Sequence, residues 1–188
     1  MILEGIVTTL NADGTTNISP MGPRVSPDMQ RFTLRPYNTS TTYRNLKRHG
    51  LGVLHVTDDV ELLALAAIGQ LTPPPLERIE NFPVPRLADT CRWFAFRVTL
   101  LDDAAERTTI DCEQVATGHV RDFFGFNRAK HAVLEGAILA TRIHLLPAAT
   151  IREEFARLQV LVEKTAGESE QRAWRLLTEF IEQKLPSV

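Results

Sequence analysis

The sequence predicts an α+β protein in which a small β-barrel is followed by helices. β-Branched and aromatic runs separated by turn residues fill much of residues 6–56 and 92–120, whereas apolar residues recur at helical spacing after residue 127. The chain has 188 residues, of which 44% are hydrophobic and 23% are charged. This size and composition are those of an ordinary globular protein with one main domain.

The strands are predicted from β-branched runs between turn residues. Asp13-Gly14 supplies the positive φ of a tight hairpin between the first two runs. Later in the chain, the aromatic run 92–100 has the composition of a strand. The predicted strands cover residues 6–10, 16–19, 32–35, 52–56, 92–100 and 108–120. About six strands are enough to close a small barrel.

Helices are predicted in the middle and in the last third of the chain. They cover residues 60–68 and 128–144 and surround the apolar repeats at 151–162 and 174–181. The segment 76–89 carries little pattern and is predicted to be a loop. We therefore expect a barrel domain over residues 1–146 and a helical tail over 147–188, packed on the barrel or on a partner chain.

Composition argues against several classes of partner. The 21 basic and 23 acidic residues give a formal net charge of -2, which does not favour nucleic acid or an anionic membrane surface. The longest apolar run, residues 62–68, is too short to cross a bilayer. The first residues lack the pattern of a secretory signal, and the chain has only two cysteines, so we expect a cytoplasmic protein.

A hydroxyl-rich run between residues 37 and 47 leads directly into a predicted helix. A helix N-terminus offers unpaired N–H groups and partial positive charge, and hydroxyl groups add further donors, so this run can bind a phosphate. The candidate residues are Thr39, Ser40, Thr41 and Thr42, followed by Asn45. The N-cap of a helix needs only one such side chain, so the run contains more hydroxyl groups than a cap requires. An ordinary cap followed by a solvated helix is nevertheless an equal alternative to a phosphate site.

Two further segments carry polar groups at positions where a ligand could reach them. Asn17, Ile18 and Ser19 form a strand that runs into a proline turn, where backbone and short polar groups can read the edge of a heterocycle. Asn127 and Arg128 open a helix, and an arginine in a first turn opposes the helix dipole. Each segment also has an alternative without a ligand: residues 17–19 can be a plain strand, and Arg128 can be a surface residue.

Other kinds of site lack their sequence signatures. The five histidines show no spacing typical of a metal site. The sequence also has no dinucleotide fingerprint, no phosphate-binding P-loop and no nucleophile elbow. No catalytic side chain of the protein is therefore predicted.

Four motifs together resemble one family. They lie at residues 4–9, 17–22, 40–46 and 127–129, and residues 135–142 match as well. The family is labelled a domain of unknown function, and its members look like FMN-binding split-barrel proteins related to flavin reductases. The middle of the chain and the helical tail match more loosely.

The resemblance implies a six-stranded split barrel with a C-terminal helical hairpin, a homodimer, and FMN bound between subunits. If the roles known in the family are transferred to the matching positions of this sequence, the isoalloxazine lies along Asn17, Ile18 and Ser19. Residues 39–42 then hold the phosphate, and Asn45 steadies the loop that they form. Asn127 and Arg128 complete the pocket. The family has no settled reaction.

These expectations lead to three hypotheses for function. In the first, the chain is an oxidoreductase whose bound FMN accepts hydride or electrons from a small-molecule donor. The second is an FMN-binding carrier or sensor without turnover, and the third is an oligomeric scaffold without cofactor. Flavin content separates the third from the others, and reduction by a nicotinamide donor separates the first two.

Overall fold

The computed structural model describes residues 1–186. Within that range the strands are β1 Gly5–Leu10, β2 Thr16–Met21, β3 Arg24–Val25, β4 Arg31–Leu34, β5 Leu51–Val56, β6 Leu76–Ile79, β7 Phe82–Leu87, β8 Arg92–Asp102 and β9 Thr109–His119. The helices are α1 Thr41–His49, α2 Val60–Ala67, α3 Arg128–Ala140, α4 Ala148–Thr165 and α5 Glu168–Lys184.

The chain divides into two compact units. The first contains Met1–Thr57 and Pro73–Phe123, and the second contains Asp58–Thr72 and the residues from Phe124 onwards. The first unit therefore holds all nine described strands and α1, whereas the second holds the other four described helices. The predicted boundary after residue 146 falls between α3 and α4, inside the second unit. Ser187 and Val188, at the end of the predicted tail, lie outside the described residues.

The first unit is a strongly curled antiparallel sheet. Its strand order is β2-β1-β5-β8-β9-β4-β3, so β2 and β3 are edge strands although they are neighbours in sequence. Residues 1–3 pair with this connection, since the Leu3 amide donates to Pro23 O over 3.0 Å and the Val25 amide donates to Met1 O over 3.0 Å. The chain between β2 and β3 thus spans the gap between the two edges of the curled sheet.

The prediction of six strands is too low. The curled sheet has seven strands among the described residues, and a separate pair, β6 and β7, lies in the segment predicted to be a loop. β3 has two residues, which are too few to show alternation. Pro83 and Pro85 lie inside β7, and prolines are typical of edge strands and loops. Neither element therefore leaves a pattern that marks a strand.

Each face of the sheet has its own apolar cluster. On one face, Phe96 is fully buried and meets Phe32 edge to face with ring centroids 5.1 Å apart, while Tyr43 and Leu46 of α1 join the same cluster. The other face is covered by β6 and β7 through a cluster that includes Val84. The sheet is therefore buried on both sides in this part of the unit, and α1 is fixed to one side by apolar contacts.

Gly52 allows the Phe96 ring to lie against the neighbouring strand. The two residues are directly paired, and a Cβ atom built at Gly52 would lie 2.5 Å from Phe96 Cζ and 3.0 Å from Thr8 O. We expect Gly52→Ala to lower the free energy of unfolding by about 1–3 kcal/mol, because overpacking forces a buried ring to move. Urea denaturation measures this change.

Gly22→Ala is the matched control. A Cβ atom at Gly22 would come no closer than 3.3 Å, and the nearest atoms are the carboxylate oxygens of the exposed Glu4 side chain. We expect this control to lie within about 0.5 kcal/mol of wild type, as is usual at the surface. Equal stability of the two variants would contradict the packing argument.

The second unit is built from α2, α3, α4 and α5. Phe155 of α4 stacks on Trp174 of α5 with ring centroids 4.9 Å apart, and both rings approach Gly136 of α3. α3 ends at Ala140, before the predicted end at residue 144, because residues 141–145 form turns. Within residues 1–186, none of the helices combines the length and apolar composition needed to cross a bilayer.

Candidate functional site

The N-terminus of α1 is built to present backbone donors. Ser40 has extended backbone angles and its Oγ accepts a hydrogen bond from the Tyr43 amide over 3.2 Å, which is the geometry of an N-cap. The amides of Thr41 and Thr42 come next, and amides at these positions have no partner within a helix. The first turn contains no acidic residue. This end of α1 can therefore accept an anion.

Arg44 places a guanidinium beside the same turn. Its Nη1 donates to Thr39 O and its Nη2 donates to Thr41 Oγ1, both over 3.1 Å, and the side chain is exposed. A cation in a first helical turn is unfavourable by itself, because it opposes the helix dipole. A bound anion removes that penalty. Arg44 was not among the predicted site residues, although an arginine that opposes the dipole in a first turn is a signal readable from the sequence.

A hydrogen bond joins α1 to β2. Asn17 Nδ2 donates to Thr42 Oγ1 over 3.1 Å and to Thr9 Oγ1 over 3.3 Å. The Asn17 carbonyl oxygen accepts from no described residue, and the side chain is half-buried. Two segments that were predicted separately, the strand at residues 16–19 and the hydroxyl-rich run, are therefore in direct contact.

Thr42 is buried, with 2% of its surface exposed. Its hydroxyl meets Asn17, so this side chain orients the strand rather than facing solvent. Thr39 is exposed, and Ser40 and Thr41 are half-buried. Of the four predicted phosphate residues, three are thus within reach of a ligand through their side chains, and the fourth supports Asn17.

Asn45 ties α1 to β1 and to Asn11, just beyond the end of β1, through its amide nitrogen. The Nδ2 atom donates to Thr9 Oγ1 over 3.0 Å and to Asn11 Oδ1 over 2.9 Å, while Oδ1 accepts from Arg48 Nη2 over 2.9 Å. The residue is buried, and its amide is fully occupied. Asn45 is therefore a positioning residue for α1, and its role in steadying the loop at residues 39–42 stays a prediction.

The opposite side of α1 is fixed to the loop between β8 and β9. Asp103 accepts hydrogen bonds from Tyr43 Oη and Lys47 Nζ, both over 2.6 Å. The bond from Lys47, followed by that from Tyr43, lowers the pKa of the Asp103 carboxyl. The loop before α1 is held by the Asn38 amide, which donates to Glu106 O over 2.9 Å. Both α1 and the loop that precedes it have a fixed position.

Ile18 and Ser19 fall on different faces of β2. Ser19 shares the face of Asn17, since side chains alternate along a strand. Ile18 pairs with Thr8, whose hydroxyl donates to Pro85 O on the face covered by β7. Only one of these two side chains can thus lie beside Asn17, and Ile18 can contribute there only through its backbone.

Asn127 and Arg128 belong to the second unit. Asn127 caps α3, because its Oδ1 accepts from the Ala129 amide over 2.8 Å and from the Lys130 amide over 3.1 Å, while its Nδ2 donates to Thr165 O. The Arg128 side chain is exposed. The structure gives Asn127 a capping role, and a cofactor role for either residue stays a prediction.

A separate open groove of about 540 Å³ lies over β3, β4 and β9. Its polar lining includes Arg24, Arg31 and Asp111, and Asp111 accepts from Thr33 Oγ1 over 2.7 Å. None of the predicted site residues lines it. The groove does not combine a helix N-terminus with free amide groups, so we place the candidate site at α1 and β2.

Solved structures share this fold. The FMN-bound protein MM1853 from Methanosarcina mazei superimposes with a TM-score of 0.83 at 24% identity, over 95% of this chain and 94% of that one. The styrene monooxygenase flavin reductase from Pseudomonas putida S12 gives a TM-score of 0.53 at 13% identity, over 64% and 82% of the two chains. A putative flavin reductase from Haemophilus somnus gives 0.52 at 14% identity, over 63% and 81%. The curled sheet and the helices that follow it therefore match the split-barrel fold that is also seen in flavin reductases.

Two family descriptions together match most of the chain. Residues 3–121 match the one described as "Protein of unknown function (DUF447) N-terminal domain". Residues 127–179 match the one described as "Protein of unknown function (DUF447)". The two matches meet near the point where the second unit resumes at Phe124. The chain belongs to the DUF447 family.

Proposed function

We propose that this chain binds FMN through α1 and β2, and that the bound FMN exchanges hydride or electrons with a small-molecule donor. The observation that carries the proposal is the contact between Asn17 and Thr42, which brings an anion-accepting helix end next to an edge strand with a free amide carbonyl. The FMN-bound relative with the same fold supports this choice of ligand.

The residues fit the chemical groups of FMN. At one end, the Ser40 hydroxyl, the first amides of α1 and the Arg44 guanidinium are donors, which is what a phosphate requires. At the other end, the Asn17 carbonyl oxygen can accept from a ring N–H group. β2 is an edge strand, so its outer backbone groups are also available to a heterocycle.

Bound FMN supplies the electron chemistry, and the protein needs no nucleophile of its own. Asn17 orients the ring edge, while Thr9 and Thr42 hold Asn17 by accepting from its amide. Asn45 keeps α1 at a fixed distance from β1. The protein thus contributes position and polarity.

Flavin content tests the binding. We expect FMN to bind to the purified protein with a shift of its visible absorption and with quenching of its fluorescence, and with higher affinity than riboflavin. Mass spectrometry of the molecules released by denaturation identifies a retained cofactor. A protein that binds neither flavin would overturn the proposal and favour a scaffold.

Anaerobic mixing with NADH and NADPH tests the reaction. The outcome expected of an oxidoreductase is bleaching of the FMN absorbance by the donor alone, and continued oxidation of the donor once an acceptor is added that reoxidises the flavin. Bound FMN that stays oxidised with both donors would leave the binding intact but would refute reduction by nicotinamides and favour a carrier or sensor.

A further inference from the structure

The open groove over β3, β4 and β9 lies entirely within the first unit and shares no lining residue with the proposed flavin site. Its volume of about 540 Å³ falls within the range of small-molecule sites. Two arginines, two carboxylates and three hydroxyl groups line it. A molecule that fills this groove therefore has to be polar.

Strand pairing places the polar side chains of the groove in two adjacent rows. Arg24 of β3 lies opposite Thr33 of β4, which in turn lies opposite Asp111 of β9. In the next row, Arg31 lies opposite Glu113. Both rows lie on the face away from the buried core, because side chains alternate along a strand. Arg24 and Arg31 are thus diagonal neighbours, roughly 7–8 Å apart, and both guanidinium groups can reach one ligand.

Neither of these two arginines forms an ion pair. Within residues 1–186, neither guanidinium group makes a hydrogen bond or a salt bridge to another residue. Glu113 lies opposite Arg31 but pairs with Arg97 of β8 over 2.8 Å. Asp28 is close enough to feel the Arg31 charge, but it accepts hydrogen bonds within its own turn. Two exposed cations therefore remain available to an anion in a concave part of the surface.

Asp111 offers an acceptor in the same groove. Its Oδ1 accepts from Thr33 Oγ1 over 2.7 Å, and its backbone oxygen accepts from Thr99 Oγ1 over 3.1 Å. Its Oδ2 accepts from no residue in the described part of the chain, and the side chain is half-buried. A carboxylate oxygen accepts from hydroxyl or amino groups. A ligand that satisfies the whole groove thus carries a donor as well as negative charge.

We propose that the groove binds the phosphate monoester of a small hydroxylated molecule, such as a sugar phosphate. The phosphate lies between Arg24 and Arg31, and a hydroxyl group donates to Asp111. A phosphate monoester carries about 1.5 to 2 negative charges at pH 7 and has three acceptor oxygens, which match two guanidinium groups. A single carboxylate would leave one arginine without a partner. This site is additional to the flavin site and does not depend on it.

Isothermal titration calorimetry of the full chain with ribose 5-phosphate and with ribose tests the proposal. We expect ribose 5-phosphate to bind and ribose not to bind at the same concentrations. Arg24→Gln and Arg31→Gln should each raise the dissociation constant by about 10- to 100-fold, because each removes a hydrogen bond to a charged group. Failure of ribose 5-phosphate to bind to wild type would overturn the proposal.

Arg78→Gln is the matched control for the loss of one positive charge. Arg78 is an exposed arginine of β6 in the first unit, and it does not line the groove. It should leave the dissociation constant of ribose 5-phosphate unchanged. If all three variants weakened binding equally, net charge would be responsible and the groove would not be the site.

The N-terminus of α1 also accepts a phosphate in the proposed function, so the two sites must be separated. Arg44→Ala should weaken FMN and keep ribose 5-phosphate in the groove, whereas Arg24→Gln should do the reverse. Loss of ribose 5-phosphate in Arg44→Ala but not in Arg24→Gln would refute the groove and leave the flavin site standing. Binding of ribose 5-phosphate that depends on Arg24, in a protein that binds no FMN, would support the groove and refute only the flavin site.

The role of Asp111 is tested by comparing ribose 5-phosphate with inorganic phosphate, which lacks the sugar. Asp111→Ala removes the acceptor of the sugar hydroxyl but leaves both arginines in place. The preference for ribose 5-phosphate over inorganic phosphate should fall by about three- to tenfold, the effect of one hydrogen bond. An unchanged preference would overturn the assignment of the groove to a hydroxylated ligand.

Discussion

Replacing Arg44 with alanine is expected to weaken FMN binding by about 10- to 100-fold and to change riboflavin binding by less than about threefold. Arg44 lies beside the capped turn of α1, where only FMN brings a phosphate. A hydrogen bond to a charged group contributes about 1.5–3 kcal/mol, and each 1.4 kcal/mol is a tenfold change in dissociation constant. Fluorescence titration with both flavins measures the two constants.

Arg97→Ala is the control for net charge. Arg97 is an exposed arginine of β8 that pairs with Glu113, and its removal changes the charge of the chain by the same amount. It should leave the affinity for both flavins unchanged. If Arg44→Ala weakened FMN and riboflavin equally, the phosphate would not lie at the N-terminus of α1.

Substitution of the buried Thr42 is expected to affect flavin binding differently from substitution of Arg44. Thr42→Val removes one of the two acceptors of the Asn17 amide, so the expected loss falls on the ring end of the ligand. FMN and riboflavin share the ring and should weaken by similar factors. Arg44 and Thr42 therefore separate the two ends of the proposed ligand, although only one residue lies between them in the sequence.

Replacing His55 with leucine is expected to lower the free energy of unfolding by about 2–5 kcal/mol. His55 is fully buried, its Nε2 accepts from the Leu87 amide over 3.0 Å, and its Nδ1–H donates to Ile6 O over 3.1 Å. Leucine makes neither bond, so two buried backbone groups lose their partner at a cost of about 1–3 kcal/mol each. The exposed His119 provides the control, and His119→Leu should lie within about 0.5 kcal/mol of wild type.

The same histidine makes stability depend on pH. Burial, helped by the nearby Arg86 charge, lowers the pKa of His55 to about 4 from its usual value of 6.5. As the pH falls from 6.5 towards 4, the unfolded chain takes up a proton that the folded chain excludes, so stability falls with it. Since one pKa unit corresponds to 1.36 kcal/mol, the full loss is about 3 kcal/mol.

Urea denaturation at pH 7.5 and at pH 5 checks this dependence. Wild type should lose stability between the two pH values through His55, and His55→Leu should lack that part of the loss. A variant with the same pH dependence as wild type would show that the imidazole is not the responsible group.

The sequence predicts the strands with clear patterns and the helix starts with a cap. The long hairpin of β8 and β9 follows from its aromatic run, and α3 begins at the residue after Asn127, as predicted. β3 and β7 are not predictable in this way, since one is too short and the other contains two prolines. Each pairs only with a strand that is its neighbour in sequence, β3 with β4 and β7 with β6, so the short range of the pairing does not make either strand visible in the sequence.

The candidate site is only partly predictable for a similar reason. Polar composition identifies Asn17 and Thr42, but it cannot show that they touch, because that contact depends on how α1 packs against β1 and β2. Composition also cannot separate a hydroxyl that faces solvent, such as that of Thr39, from one that is buried, such as that of Thr42. Burial is a property of the folded chain.

The strand order has a consequence for the time course of folding. β4 pairs with β9, so Thr33 lies opposite Asp111, a residue far along the chain. Pairings between distant residues form slowly, because a long loop must close before they contribute any stability. During synthesis the residues of the proposed flavin site in the first unit, which lie at or before Asn45, leave the ribosome before β9 does. They must wait for the chain to reach His119 before the barrel around them can assemble.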